Sequence, residues 1–180
     1  PHTYNLYRNP VTFIKILHCI ENEVNGGLST LVDGYTVTEK IKKEFPKYYN
    51  VLSEIKVRFQ FIDQTIILED WAEMIQLDEN KNFKQVRFSP RLDFVPLVDK
   101  EKLEIYYSAR KKISELYNSD KYKIEFKLLS GDLLMMDNHR LLHGRTGYNT
   151  NEGKRFLQGC YIDYDSTEGK LKHLKRKFNL

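Results

Sequence analysis

Cysteine is too scarce in this chain to organise a fold. Cys19 and Cys160 are the only two in 180 residues, so no disulfide framework exists and a cytosolic setting is the default expectation. Long apolar runs are missing as well. None approaches the roughly 20 residues of a membrane span, no signal peptide is legible, and a membrane partner is not expected. Charge of one sign is in short supply: 29 Lys and Arg against 25 Asp and Glu leave a net +4, too mild to indicate nucleic acid. The basic tail from Lys170 to Lys177 comes with no stacking motif of interleaved aromatic and basic residues, so nucleic acid is not an expected partner. There are no internal repeats and no linker. There is no starting Met either. Pro1-His2-Thr3-Tyr4 reads as a cut end, with part of the native domain preceding residue 1.

What is present suits a single domain over residues 1–180, long enough to bury a core. Hydrophobic residues make up 41% and charged residues 30%, a globular balance. The 12 Tyr and 10 Phe favour strands, because flat rings suit pleated, half-buried surfaces. Strands are expected at Phe13–Ile20, Ser29–Gly34, Val57–Phe61, Phe83–Phe88, Tyr122–Leu128, Leu133–Asp137 and Arg155–Tyr161. The Leu133–Asp137 run reads as a buried strand. Thr38–Phe45, halted before Pro46, reads as a helix, with a further helical turn at Tyr49–Leu52. From Lys100 to Tyr117 the apolar residues Leu103, Tyr106, Tyr107, Ala109, Ile113 and Leu116 recur at helical spacing. Many strands with about two helices, and strands distant in sequence that must pair, imply a mainly β jelly roll with flanking helices.

Three features suggest chemistry. The run Met135–Arg145 leaves a strand and enters a polar, glycine-containing turn carrying His143. Arg155 follows on the next strand; an arginine facing a β core needs an anion, since guanidinium is always charged, and a carboxylate meets it with two bonds. His2 lies at the other end of the chain. Two histidines and a carboxylate with open positions suit non-haem Fe(II). The competing readings are a hydrogen-bonded turn histidine for His143, a strand arginine exposed or paired with Asp163 for Arg155, and a frayed terminal residue for His2.

The stretches His2–Pro10, Leu17-His18-Cys19, Gly26-Gly27-Leu28-Ser29, Val32-Asp33-Gly34, Ser130-Gly131-Asp132, Asp137–Arg145 and Arg155–Tyr161 resemble the γ-butyrobetaine and trimethyllysine dioxygenases of the taurine-dioxygenase-like (TauD/TfdA) group. The resemblance runs along essentially the whole chain and covers the C-terminal part of the family's length. It implies a double-stranded β-helix (jelly roll) and the cofactors Fe(II) and 2-oxoglutarate. The implied reaction consumes O2, releases succinate and CO2, and hydroxylates a small quaternary-ammonium carboxylate such as γ-butyrobetaine, as in carnitine biosynthesis. A homodimer would fit the family. By residue, the resemblance implies His2 and His143 as iron ligands, Arg155 and Ser29 as 2-oxoglutarate contacts, and Tyr161 as part of an aromatic cage for the trimethylammonium group.

Two positions depart from the pattern. The family's first motif is His-x-Asp, whereas here Tyr4 stands third. A phenol reaches further than an Asp carboxylate and keeps its proton in water unless a metal displaces it. Tyr4 therefore either coordinates after a loop shift, leaves its place to water, or cripples the site. Arg91 stands near where relatives place an Asn against the substrate carboxylate, and is suited to the same task. Tyr161 equally suits a core aromatic, and Ser29 a plain turn residue. His139 is not assigned to the metal; His18 and Cys19 read as structural. Two functions follow: the dioxygenase itself, or an impaired member that keeps only the binding scaffold.

Overall fold

The computed structural model describes all of residues 1–180. Strands β1 (Ile14–Asn22) and β2 (Ser29–Asp33) lead into helices α1 (Gly34–Glu44) and α2 (Pro46–Glu54). Strands β3 (Lys56–Ile62), β4 (Ile67–Glu73), β5 (Ile75–Leu77) and β6 (Phe83–Val86) follow, then helix α3 (Lys100–Tyr117). Strands β7 (Lys123–Phe126), β8 (Leu133–Asp137), β9 (Leu141–Arg145) and β10 (Arg155–Ile162) precede the last helix, α4 (Tyr164–Phe178). Four helices replace the expected two or so.

Two three-stranded antiparallel sheets make the frame, one ordered β10-β1-β8 and the other β7-β2-β9. Each has an early strand at its centre and late strands beside it, the long-range pairing of a jelly roll. Two ribbons, β3-β4 and β5-β6, extend the molecule. The main apolar core lies where α1, α2 and α3 meet these ribbons: Leu52, Phe59, Met74, Ile75, Tyr106, Ile113 and Tyr117 are all buried there. Burying them is the main drive to fold, at roughly 25 cal/mol per Å² of apolar surface.

Several boundaries moved for physical reasons. Helix α1 begins at Gly34, not Thr38, because the Asp33 carboxylate caps it, accepting the Tyr35 N–H at 3.0 Å and the Thr36 hydroxyl at 2.8 Å. Pro46 halts α1 and then opens α2 at its first position, where its missing N–H costs nothing. The α2 helix therefore exceeds the single turn expected at Tyr49–Leu52. Strands β4 and β5 were unforeseen. The β4 residues Glu69, Asp70 and Glu73 break any apolar alternation, and the strand holds to β3 alone. Strand β8 is not the buried strand expected: Leu133 and Met135 are more than half exposed while Met136 is buried. As an edge strand it turns one face out, and apolar residues on both faces hid the alternation. Helix α3 has the expected bounds, capped by Asp99, whose carboxylate accepts the Lys102 N–H at 2.9 Å. Its buried face is Tyr106, Ala109, Ile113 and Tyr117, while Tyr107 points outward. The basic tail forms α4, with no buried residue.

Candidate functional site

A cavity of about 880 Å³ opens between the two sheets, lined by residues of β1, β2, β9 and β10, by the segment around His2 and by the loop around Arg91. His143 is not in a turn as the sequence suggested. The turn is at residues 138–140, and His143 sits in the middle of β9, buried, opposite Leu31 of β2. That placement fixes the ring rigidly instead of leaving it at a mobile mouth.

His2 is brought to His143 by the backbone. Each residue donates its N–H to the other's carbonyl at 2.9 Å, and the rings lie 4.5 Å apart at 50°. The segment is pinned on its other side by Phe88: Thr3 N–H donates to the Phe88 carbonyl at 2.9 Å, and Phe88 N–H to the Thr3 hydroxyl at 3.1 Å. His2 is thus no frayed end. Both imidazoles are held neutral. Burial, then the charge of Lys15, pulls His143 down to about 2 and His2 to about 4.

Tyr4 lines the same cavity, and its hydroxyl makes no hydrogen bond to either histidine. The ring lies flat on Tyr161 at 4.5 Å and 5°, and burial pushes the Tyr161 phenol up. Between this aromatic pair and His143 stands a residue that had drawn no attention, Lys15 of β1. Its Nζ is 2.6 Å from His143 Nε2, 4.7 Å from the Tyr4 ring centre and 5.7 Å from that of Tyr161. Lys15 is buried, and burial lowers its pKa to about 8, so it remains mostly an ammonium at neutral pH. It donates to Nε2, which places the imidazole proton on Nδ1, an atom no protein group meets. The signal was a lone cation in the apolar run Ile14-Lys15-Ile16-Leu17.

At the other end of the cavity Arg155 lies against Gly27, donating from Nη2 to its carbonyl at 3.4 Å, with the guanidinium 5.1 Å from the Tyr148 ring centre. Its Nε is buried without a partner, and it makes no ion pair with Asp163. Arg145 lies over the same Tyr148 ring at 4.6 Å. Gly27 has φ +60°, and a side chain there would meet Arg155 Nε at 3.0 Å, so glycine is required both by backbone and by space. Ser29, buried, lines the cavity beside these groups. Arg91 lines the far wall on a loop held by Arg110 of α3, which grips Asp93 through two bonds of 2.6 and 2.8 Å and the Ser89 carbonyl at 3.2 Å.

The structure thus brings His2, His143, Tyr4, Ser29, Arg91 and Arg155 to one cavity, while Tyr161 borders it through Tyr4. Lys15, Arg91, Arg145 and Arg155 are in the lining, with no Asp or Glu among its residues. The charge of the lining is therefore positive throughout, a field that attracts anions. No group of three or more His, Cys, Asp or Glu side chains is placed to hold a metal ion. No helix is long and apolar enough to cross a membrane.

Residues 1–161 match the model described as taurine catabolism dioxygenase TauD, TfdA family. The gamma-butyrobetaine dioxygenase of Homo sapiens is 34% identical over 174 residues, covering 91% of this chain and 44% of the relative. That of Pseudomonas sp. (strain AK-1) is 30% identical over 163 residues, covering 91% and 43%. The mitochondrial trimethyllysine dioxygenase of Bos taurus is 24% identical over 177 residues, covering 91% and 40%. The chain therefore spans less than half the length of these relatives. Among solved structures, an asparagine oxygenase in complex with Fe(II), 2S,3S-3-hydroxyasparagine and succinate aligns with a TM-score of 0.70 at 17% identity, over 89% of this chain and 48% of that one. A putative alpha-ketoglutarate dependent 2,4-D dioxygenase from Burkholderia xenovorans gives 0.72 at 14% identity, over 92% and 67%. At such identities the likeness shows the fold, and the fold is the expected double-stranded β-helix with flanking helices.

Proposed function

Because the chain belongs to the TauD, TfdA family of taurine catabolism dioxygenases, we propose that its cavity is a pocket for a 2-oxo acid and a small substrate. The reaction to which this reading belongs is Fe(II)- and 2-oxoglutarate-dependent hydroxylation, with O2 consumed and succinate and CO2 released. The gamma-butyrobetaine dioxygenases among the relatives support a small quaternary-ammonium carboxylate as the substrate class. One observation carries the reading: Arg155 sits in a cavity without a carboxylate, its Nε buried and unpartnered. A guanidinium so placed meets the far carboxylate of 2-oxoglutarate with two parallel bonds. The Ser29 hydroxyl donates to the same acid, and Arg91 takes the substrate's carboxylate. Tyr161 is assigned to the trimethylammonium group, although its ring already faces Tyr4 and the Lys15 ammonium.

The two cofactors fit unequally. An Fe(II) centre of this type needs two imidazoles and a carboxylate. His2 and His143 supply the imidazoles, but the third position holds Tyr4, a phenol stacked on Tyr161, and the cavity lining has no carboxylate. An ammonium at 2.6 Å already occupies His143 Nε2, the side from which a metal would bond at about 2.1 Å. The residues present do not fit a three-donor iron centre. The reading best supported is the second of the two weighed from sequence, a family member that keeps the acid-binding scaffold with iron-dependent turnover impaired.

Calorimetric titration with 2-oxoglutarate, beside an assay of succinate release with Fe(II) and γ-butyrobetaine, tests this. Binding that is lost in a folded Arg155→Gln variant, without succinate release, is the expected result. A folded chain that binds no 2-oxoglutarate under any metal condition would overturn the pocket assignment. Substrate-coupled succinate release would overturn the impairment.

A further inference from the structure

We propose that Lys15 is the resident cation of this site: its ammonium takes the place of a metal ion on His143, and the cavity binds a 2-oxo dicarboxylate between Lys15 and Arg155 with no metal present. The inference rests on the reading of the cavity as an oxo-acid pocket and goes beyond it in naming what holds the acid.

Position comes first. Side chains alternate along a strand, so Lys15 and Leu17 of β1 turn to the same side, and both line the cavity. In the ladders Lys15 stands opposite Met136 of β8 and Tyr161 of β10, which flank its stem and direct the amine inward. It is only 7% exposed. An ammonium has three donors and no acceptor. One donor goes to His143 Nε2. The faces of Tyr4 and Tyr161 approach the same charge from the side, where cation–π attraction holds it. What remains of its donor capacity is directed to the cavity.

Charge comes second. A divalent ion with one carboxylate carries a net +1; the Lys15 ammonium carries the same. With Tyr4 standing in the carboxylate's place, Lys15 on His143 gives the site the charge that such a pair would. Neither Lys15 nor Arg155 takes part in any ion pair of the protein. Arg91 and Arg145 in the same lining are without ion pairs as well, so the cavity calls for an anion of more than one negative charge.

The two cations stand apart. On the β1-β10 ladder Lys15 pairs with Tyr161 near one end and Arg155 pairs with Asn22 at the other, six residues or about 20 Å along the strand. One carboxylate cannot join them; a linear dicarboxylate can once both long side chains lean into the cavity between them. A 2-oxo acid offers the ammonium a carboxylate and a neighbouring keto oxygen, two acceptors for its remaining donors, while its far carboxylate goes to Arg155.

The test is calorimetric titration of the whole chain with 2-oxoglutarate in excess EDTA. One-to-one binding is expected, unchanged by the chelator. It should weaken at least tenfold in Lys15→Gln, and at least tenfold when pyruvate replaces 2-oxoglutarate. Binding that appears only after Fe(II) or Co(II) is added would overturn the role of Lys15 and leave the pocket reading standing. No binding by the folded chain with or without metal would overturn both. Unchanged affinity in a folded Lys15→Gln would also refute the inference. The wild-type arm needs no variant and so survives a misfolded one. A metal readout is independent of ligand: Co(II) should give no visible band with the wild type and a clear one with Lys15→Gln/Tyr4→Asp, and a strong wild-type band would refute the proposal.

Discussion

Asn138 grips Tyr4 by the backbone on both sides: its Oδ1 accepts the Tyr4 N–H at 2.8 Å and its Nδ2 donates to the Tyr4 carbonyl at 3.0 Å. The same Nδ2 donates to the Thr12 carbonyl at 2.8 Å, and Asn138 is fully buried. The turn between β8 and β9 thus fixes the position of the residue in the third-ligand place. Asn138→Ala removes all three bonds and leaves a buried carbonyl unmet, at a cost of about 2–4 kcal/mol. The urea midpoint should fall accordingly; an unchanged midpoint would show that the grip contributes nothing.

Arg155→Lys tests whether the anion is held by a fork or by a point charge. Lysine keeps the charge but not the paired donors. A drop in 2-oxoglutarate affinity of roughly ten- to a hundredfold is expected, about 1.4–3 kcal/mol, with the melting temperature unchanged. A fall in melting temperature with affinity retained would mean that Arg155 serves the fold.

Gly27→Ala strains the backbone at φ +60° and presses on Arg155 Nε. The left-handed conformation alone costs about 1–2 kcal/mol, and the displaced guanidinium should lower affinity for 2-oxoglutarate as well. Both should be lost together, read by thermal melting and titration on one sample.

Tyr4→Asp alone is expected to create no metal site. The new carboxylate would face the Lys15 ammonium, which lies 4.7 Å from the present Tyr4 ring centre, and pair with it instead. Co(II) absorption checks this: a visible band in the single variant would count against it.

Asp33 sets an acid limit on stability. Its carboxyl is held below the ordinary range, first by the hydrogen bonds from Arg140, at 2.9 and 2.7 Å. A carboxyl lowered in the folded state stabilises above its unfolded value of about 3.9 and loses that contribution as the pH falls through the folded value. Asp33→Asn keeps the helix cap and removes the ion pair, whose worth at this half-exposed place is about 0.5–1 kcal/mol. The gap in melting temperature between wild type and variant should be full at pH 7 and close below about pH 4.

The sequence by itself determined the periodic elements and the chemical cast. Helix α3 is legible because its spacing of apolar residues reports one buried face, β1 because it is an apolar run of strand length, and Pro46 marks a boundary by local chemistry. His2, His143, Ser29, Arg91 and Arg155 were named through the family resemblance, and they do share one cavity. Only the tertiary structure decided which cation stands among them. Lys15 reaches His143 across 128 residues of chain, and no local pattern tells whether a lone lysine in an apolar strand turns to solvent or to the centre. The same limit hid the early start of α1, set by a cap that also pairs with Arg140, and the outward face of β8, set by its place at a sheet edge. Tyr4 was legible as a departure. That its ring lies on Tyr161 and faces an ammonium follows from strands that meet only in the folded chain.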